Sequence, residues 1–170
     1  MTNRENFRVW FAHYIRSLAG ERNAGFLIVL VSFPLLERYL RQLTNAEPKS
    51  PKFIAGVLKV LPELGTVSAA QTFWTTYRHG LLHNVTMSSE THGLTHDSPI
   101  VDIQPSGKIW LNPVLFSQRV LSTIESDFAT FEGGAPALPI VNIHEVAPGC
   151  PGAPNFYLGT GAPPGQGGKP

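Results

Sequence analysis

The segment from Thr75 to Asn84, TTYRHGLLHN, places one arginine, two histidines and an asparagine within seven positions. A histidine titrates near neutrality and can both take and give a proton. An arginine stays charged and offers a forked set of donors that matches phosphate oxygens. Arg78, His79 and His83 therefore suit attack on a phosphodiester: one group moves the proton while another holds the developing negative charge. Metal-free RNA cleavage needs little more, because the ribose 2′-OH supplies the nucleophile. The same residues admit two other readings. His79 and His83, at i and i+4, have the spacing of a helical zinc pair, with a third ligand from His92, His96, Asp97 or Asp102. Against that reading, Gly80 stands where the H-E-x-x-H pattern has its glutamate. Alternatively, Arg78 reaches a carboxylate and the histidines are surface groups near a helix C-terminus, where positive charge is favoured.

The element that carries these residues is a helix capped by Thr66 or Ser68 and running to about Val85. At about 100° per residue, Ala70, Phe73, Trp74, Tyr77 and Leu81 form one apolar stripe. His79 and His83 fall about 40° apart on the opposite side. Arg78 and Leu82 lie between the two faces. The histidines thus point to solvent, or to a second surface that covers this helix from outside.

Three helices precede it. Phe7, Trp10, Phe11, Tyr14, Ile15 and Leu18 follow the amphipathic spacing and predict one helix ending near Gly20. A second runs from about Ala24 to Leu43, apolar nearly all round at its start and kinked by Pro34. A short third helix follows the loop marked by Pro48, Ser50 and Pro51, with Phe53, Ile54, Val57, Leu58 and Leu61 inward. After the Arg/His helix, MSSETHGLTHDSP reads as a polar loop. IVDIQ and KIWLN flank PSG and predict a β-hairpin. Asn112 and Pro113 are a cap and a first-turn proline, opening a last helix that runs to about Glu132. Residues 133–170 hold nine Gly and eight Pro among 38 and predict an extended tail, with one possible strand at LPIVNIHEV. The expected fold is mainly α. It is an up-and-down bundle of about five helices, with a small hairpin at about 99–112 before the last helix. Residues 1–132 form the domain and 133–170 the Gly/Pro-rich tail.

A chain of 170 residues with a net charge of +1 has room for one real core and is no bulk polyanion binder. The charge is uneven: residues 1–60 carry nine Lys/Arg against four Glu, and residues 61–170 carry four against eight Asp/Glu. The basic first third either attracts a polyanion locally or is a solvated helix face. The single cysteine, Cys150, excludes an intrachain disulfide and fits a reducing compartment. No signal peptide is legible, and the apolar run from Ala24 to Leu36 is too short to span a bilayer. The expected location is cytoplasmic, without a membrane partner. There is no phosphate-binding glycine loop, G-x-S-x-G or C-x-x-C. Trp10, Trp74 and Trp110 are expected in the core or at an interface.

Arg78 to His83 resembles the R-x-x-x-x-H motif of HEPN domains, with His79 as the polar residue that follows the arginine. The resemblance covers about Phe7 to Glu132. It implies a helical bundle with the motif late in a core helix. It also implies an acidic residue on an earlier long helix facing the motif arginine, for which PLLERYL offers Glu37. Many HEPN proteins are metal-independent endoribonucleases acting as toxins, defence effectors or RNA-processing enzymes. Their sites are composite, formed where two motif helices meet across a dimer. By resemblance, His83 is the general base or acid. Arg78 orients the scissile phosphate and stabilises the phosphorane. His79 and Asn84 assist by hydrogen bonds, and Glu37 holds Arg78. The product is a 2′,3′-cyclic phosphate, and no cofactor or metal is implied. Expected partners are RNA, a second copy of the chain, and a cognate antitoxin or other protein. Some HEPN members are inactive, so the alternative is a non-catalytic, dimeric interaction module.

Overall fold

The computed structural model describes residues 2–21, 23–78, 80, 92–97 and 99–133. His79, Leu81, His83, Asn84, Cys150 and the strand expected at 138–146 lie outside the described residues, as does the tail from residue 134. The fold is mainly helical with one small three-stranded sheet. Among the described residues, no helix is long and apolar enough to cross a membrane.

The chain opens with α1 (Asn3–Phe7), a π-helical turn (Arg8–Ala12) and α2 (His13–Leu18). Thr2 caps α1 in a box with Glu5. The π turn differs from the expected uniform helix. His13 N–H bonds to Arg8 O, five residues back. The extra residue rotates everything after it by roughly 100° relative to an α-helix. Phe7, Ala12 and Ile15 are buried and Phe11 and Leu18 pack partly against the core, while Trp10 and Tyr14 are 38% and 54% exposed. Trp10, expected in the core or at an interface, is not in the core.

α3 (Gly25–Thr44) is the central helix and runs unbroken through Pro34. Pro34 is exposed, and with no N–H it leaves the Leu30 carbonyl without its intrahelical donor. Its apolar start is not covered all round, since Leu27 is 45% exposed. Ile28, Val29, Phe33, Leu36 and Leu40 form its buried side. α4 (Pro51–Val60) starts at Ser50, whose hydroxyl accepts from Phe53 N–H. A 3-10 turn (Pro62–Leu64) leads through Gly65, at φ 67°, into α5 (Val67–Phe73). Thr66 caps α5 by accepting from Ala69 N–H at 3.1 Å.

The expected hairpin is present as β2 (Val101–Ile103) and β3 (Ile109–Leu111), antiparallel, with Val101 opposite Leu111 and Ile103 opposite Ile109. Gly107 takes φ 80° in its turn, a conformation L side chains rarely adopt. The segment read as a polar loop contains a further strand, β1 (His92–Leu94), parallel to β3, giving the order β1-β3-β2. A Cβ at Gly93 would collide with the Trp110 ring, so only glycine admits that packing. Asn112 caps α6 (Pro113–Ser126) by accepting from Leu115 N–H. The last helix is not one piece. Asp127 breaks it at φ −131°, ψ 56° and caps α7 (Phe128–Glu132) through Thr130 N–H. α3 packs most extensively on α6, and Phe33 is the centre of an aromatic core with Phe73, Trp74, Tyr77 and Phe116.

Candidate functional site: Arg78 on Glu37

The helix that carries Arg78 does not stay α-helical. After Phe73 it widens into a π turn, Trp74–Arg78. Ala70, Phe73, Trp74 and Tyr77 are all buried, as the apolar stripe predicts. The wider turn lets Phe73, Trp74 and Tyr77 meet Phe33 together. Tyr77 OH then lies 2.7 Å from Ile109 O and 2.9 Å from Gly93 O, and it donates to these carbonyls. Burial pushes the Tyr77 phenol well above its ordinary range, so it is a neutral donor throughout the physiological range. One buried hydroxyl thus ties the π turn to β1 and β3.

Arg78 follows directly and turns from the core toward α3. Its Nε donates to Glu37 Oε2 at 3.0 Å, and Nη2 lies 3.5 Å from Oε1. Their side chains are 23% and 13% exposed. The carboxylate is therefore largely withdrawn from water and fixes the plane of the guanidinium. Arg41 meets the other side of the same carboxylate, Nε to Oε1 at 3.1 Å, and reaches Glu47 Oε2 at 3.0 Å. The result is a chain of alternating charge, Arg78, Glu37, Arg41, Glu47. Two cations on one poorly solvated carboxylate satisfy it better than one. Arg41 did not figure among the expected site residues. The signal for it is in the sequence: a glutamate four residues before an arginine on one helix.

Of the five residues singled out by sequence, the structure brings Arg78 and Glu37 together. His79, His83 and Asn84 lie outside the described residues. Among the described residues, no group of three His, Cys, Asp or Glu could hold a metal ion. His92, one of the third ligands considered for zinc, is not a solvated loop residue. It is 8% exposed, and its Nδ1 accepts from Ile109 N–H at 3.2 Å. That bond places the proton on Nε2, which lies 3.4 Å from Thr76 Oγ1. Desolvation pushes the His92 imidazole below its usual value. His92 thus holds β1 against the same π turn that Tyr77 holds. A lone histidine in a polar run gives no sequence signal for this role. The apolar clue is Leu94, which packs partly against the core.

The arrangement is a partly exposed guanidinium, oriented by a buried carboxylate and delivered by a helix turn that is pinned at two points. Such a group can bind and polarise an anionic oxygen. No protein-family model, no curated protein and no solved structure matches the chain.

Proposed function

We propose that the chain is a metal-independent endoribonuclease of the HEPN type, acting on cytoplasmic RNA as a toxin, defence or RNA-processing enzyme. The observation that carries this reading is the Arg78–Glu37 ion pair, 3.0 Å between Nε and Oε2. A motif arginine faced by an acidic residue of an earlier long helix is a frequent feature of the family the chain resembles. The π turn adds weight, since such turns recur at functional sites. In this reading, His83 takes the proton from a ribose 2′-OH, and the 2′ oxygen attacks the adjacent phosphorus. Arg78 stabilises the charge on the phosphorane oxygens. The 5′ oxygen leaves with a proton returned by a histidine, giving a 2′,3′-cyclic phosphate and a 5′-hydroxyl. His79 and Asn84 assist by hydrogen bonds. The site is composite, completed by the motif helix of a second copy, and a cognate antitoxin would cover it.

A second reading has its own support. Val9, Trp10, Tyr14 and Leu27 are each at least 38% exposed. Exposed tryptophan and tyrosine are typical anchors of protein interfaces. A non-catalytic, dimeric interaction module would use such a face.

The test is incubation with a mixed RNA pool in EDTA. The nuclease reading expects cleavage that His83→Ala reduces at least about a hundredfold, within the usual range for a general acid or base. Circular dichroism should show the variant folded. A folded wild-type dimer that cuts no RNA supports the interaction module. Activity lost in EDTA and restored by zinc supports the metal reading.

A further inference from the structure

At the C-terminal end of α3, a hollow of about 320 Å³ is lined by Arg41, Gln42, Asn45, Ala46 and Glu47. We propose that this hollow is a guanine subsite, receiving the base next to the phosphate that Arg78 contacts. The proposal rests on the ribonuclease reading above, and it assigns that site a sequence preference.

Three observations carry it. First, the hollow adjoins the candidate site through Arg41. Arg41 bonds to Oε1 of Glu37 and Arg78 bonds to Oε2 with Nη2 also 3.5 Å from Oε1, so the two guanidiniums share one carboxylate. A nucleotide whose phosphate meets Arg78 has its neighbouring base within reach of Arg41. Second, Asn45 ends α3 in the left-handed conformation, φ 46°, and lines the hollow beside Gln42. Third, the polar groups match one base. Among the described residues, the side-chain amides of Gln42 and Asn45 have no hydrogen-bond partner. Arg41 and Glu47 stand side by side as donor and acceptor, Nη1 to Oε2 at 3.0 Å, and Glu47 is 82% exposed and able to swing.

Along one edge, guanine presents a carbonyl oxygen followed by two N–H donors. Arg41 can donate to the oxygen, and the two oxygens of Glu47 can accept from the N–H groups. Adenine and cytosine offer a carboxylate one exocyclic donor group, and uracil offers one ring N–H. The hollow also lies at the negative end of the α3 dipole. That end favours base N–H donors and disfavours a phosphate, so the base faces the hollow and the phosphate stays at Arg78.

Titrating the full chain with guanosine 3′-monophosphate, followed by amide NMR, reads the subsite without cleavage. The adenosine, cytidine and uridine nucleotides are the comparators. The expected result is guanosine binding about tenfold tighter than the others, with shifts at Gln42 and Asn45. E47Q should abolish that preference, and Q42A should weaken binding; both positions are on the surface. Equal affinity for all four nucleotides, shifts confined elsewhere, or an unchanged preference in E47Q would overturn the proposal. The two readings fail separately. Guanosine binding by a protein that cuts no RNA keeps the subsite and removes the nuclease. Arg78-dependent cleavage with no preference for guanosine beside the cut does the reverse.

Discussion

The π turns at Arg8–Ala12 and Trp74–Arg78 each follow an α-helical segment, and their surroundings make opposite use of the widened turn. At the first, Trp10 and Tyr14 are exposed. Just ahead of it Asn6 is 2% exposed, and among the described residues neither of its amide atoms finds a partner. In the second, Trp74 and Tyr77 stay buried, the phenol is bonded to two strand carbonyls, and the next side chain lands on Glu37. The same widened turn carries exposed aromatics in one place and a pinned, charged shoulder in the other. What differs is the sheet: β1 and β3 supply partners for Tyr77, although among the described residues Trp74 Nε1 has none.

The contrast is broken most severely by tryptophan truncation. Trp74→Ala should cost about 3–5 kcal/mol, as for large aromatic core residues. Trp10→Ala should cost within about 0.5 kcal/mol, as for surface sites. Urea midpoints of the two variants check this, and similar losses would refute the contrast. Tyr77→Phe should cost about 1–3 kcal/mol by leaving two strand carbonyls without their donor. Its hydrogen-exchange protection should fall in β1 and β3 first.

The pH dependence sharpens the picture at His92. Its folded value is depressed, so the unfolded chain binds the proton more readily. Stability is then full above the ordinary histidine value of about 6.5 and falls as pH drops from there toward the depressed folded value. His92→Asn keeps an acceptor for Ile109 N–H and removes the titration. The stability difference between pH 7.5 and pH 5.5 should shrink in that variant, and an unchanged difference would exclude His92 as its source. A small effect is also expected at the Arg16–Glu125 pair beyond the first π turn, 54% and 27% exposed. Arg16→Ala should change stability by under about 1 kcal/mol. Glu37→Ala, which removes the carboxylate that two arginines share, should cost more by the same measurement.

Much of this was legible in the sequence where one local rule decides the outcome. Thr66 and Asn112 cap helices as their types predict, and Pro-Ser-Gly makes the hairpin turn. The Ala70, Phe73, Trp74, Tyr77 stripe is buried because four residues are too few for a widened turn to rotate out of register. In the first helix the same reading holds at Phe7, Phe11, Ile15 and Leu18, which are buried or packed against the core, and fails at Trp10 and Tyr14, which are exposed. β1 was illegible because its partner, β3, lies well ahead in the chain and its burial rests on one histidine and one leucine. The Glu37–Arg78 contact came from a family resemblance, since no periodicity links residues on separate helices. Arg41 was within reach of a simple i, i+4 rule.

The central claim is that Arg78, held by Glu37, acts on an RNA phosphate. Its most direct test is the chemistry of fragment ends released in EDTA by the wild type and by Arg78→Ala. The account predicts 2′,3′-cyclic phosphate and 5′-hydroxyl ends from the wild type, at a rate at least about a hundredfold above the folded variant. Ends bearing 3′-hydroxyl and 5′-phosphate, or equal rates for the two proteins, would contradict it.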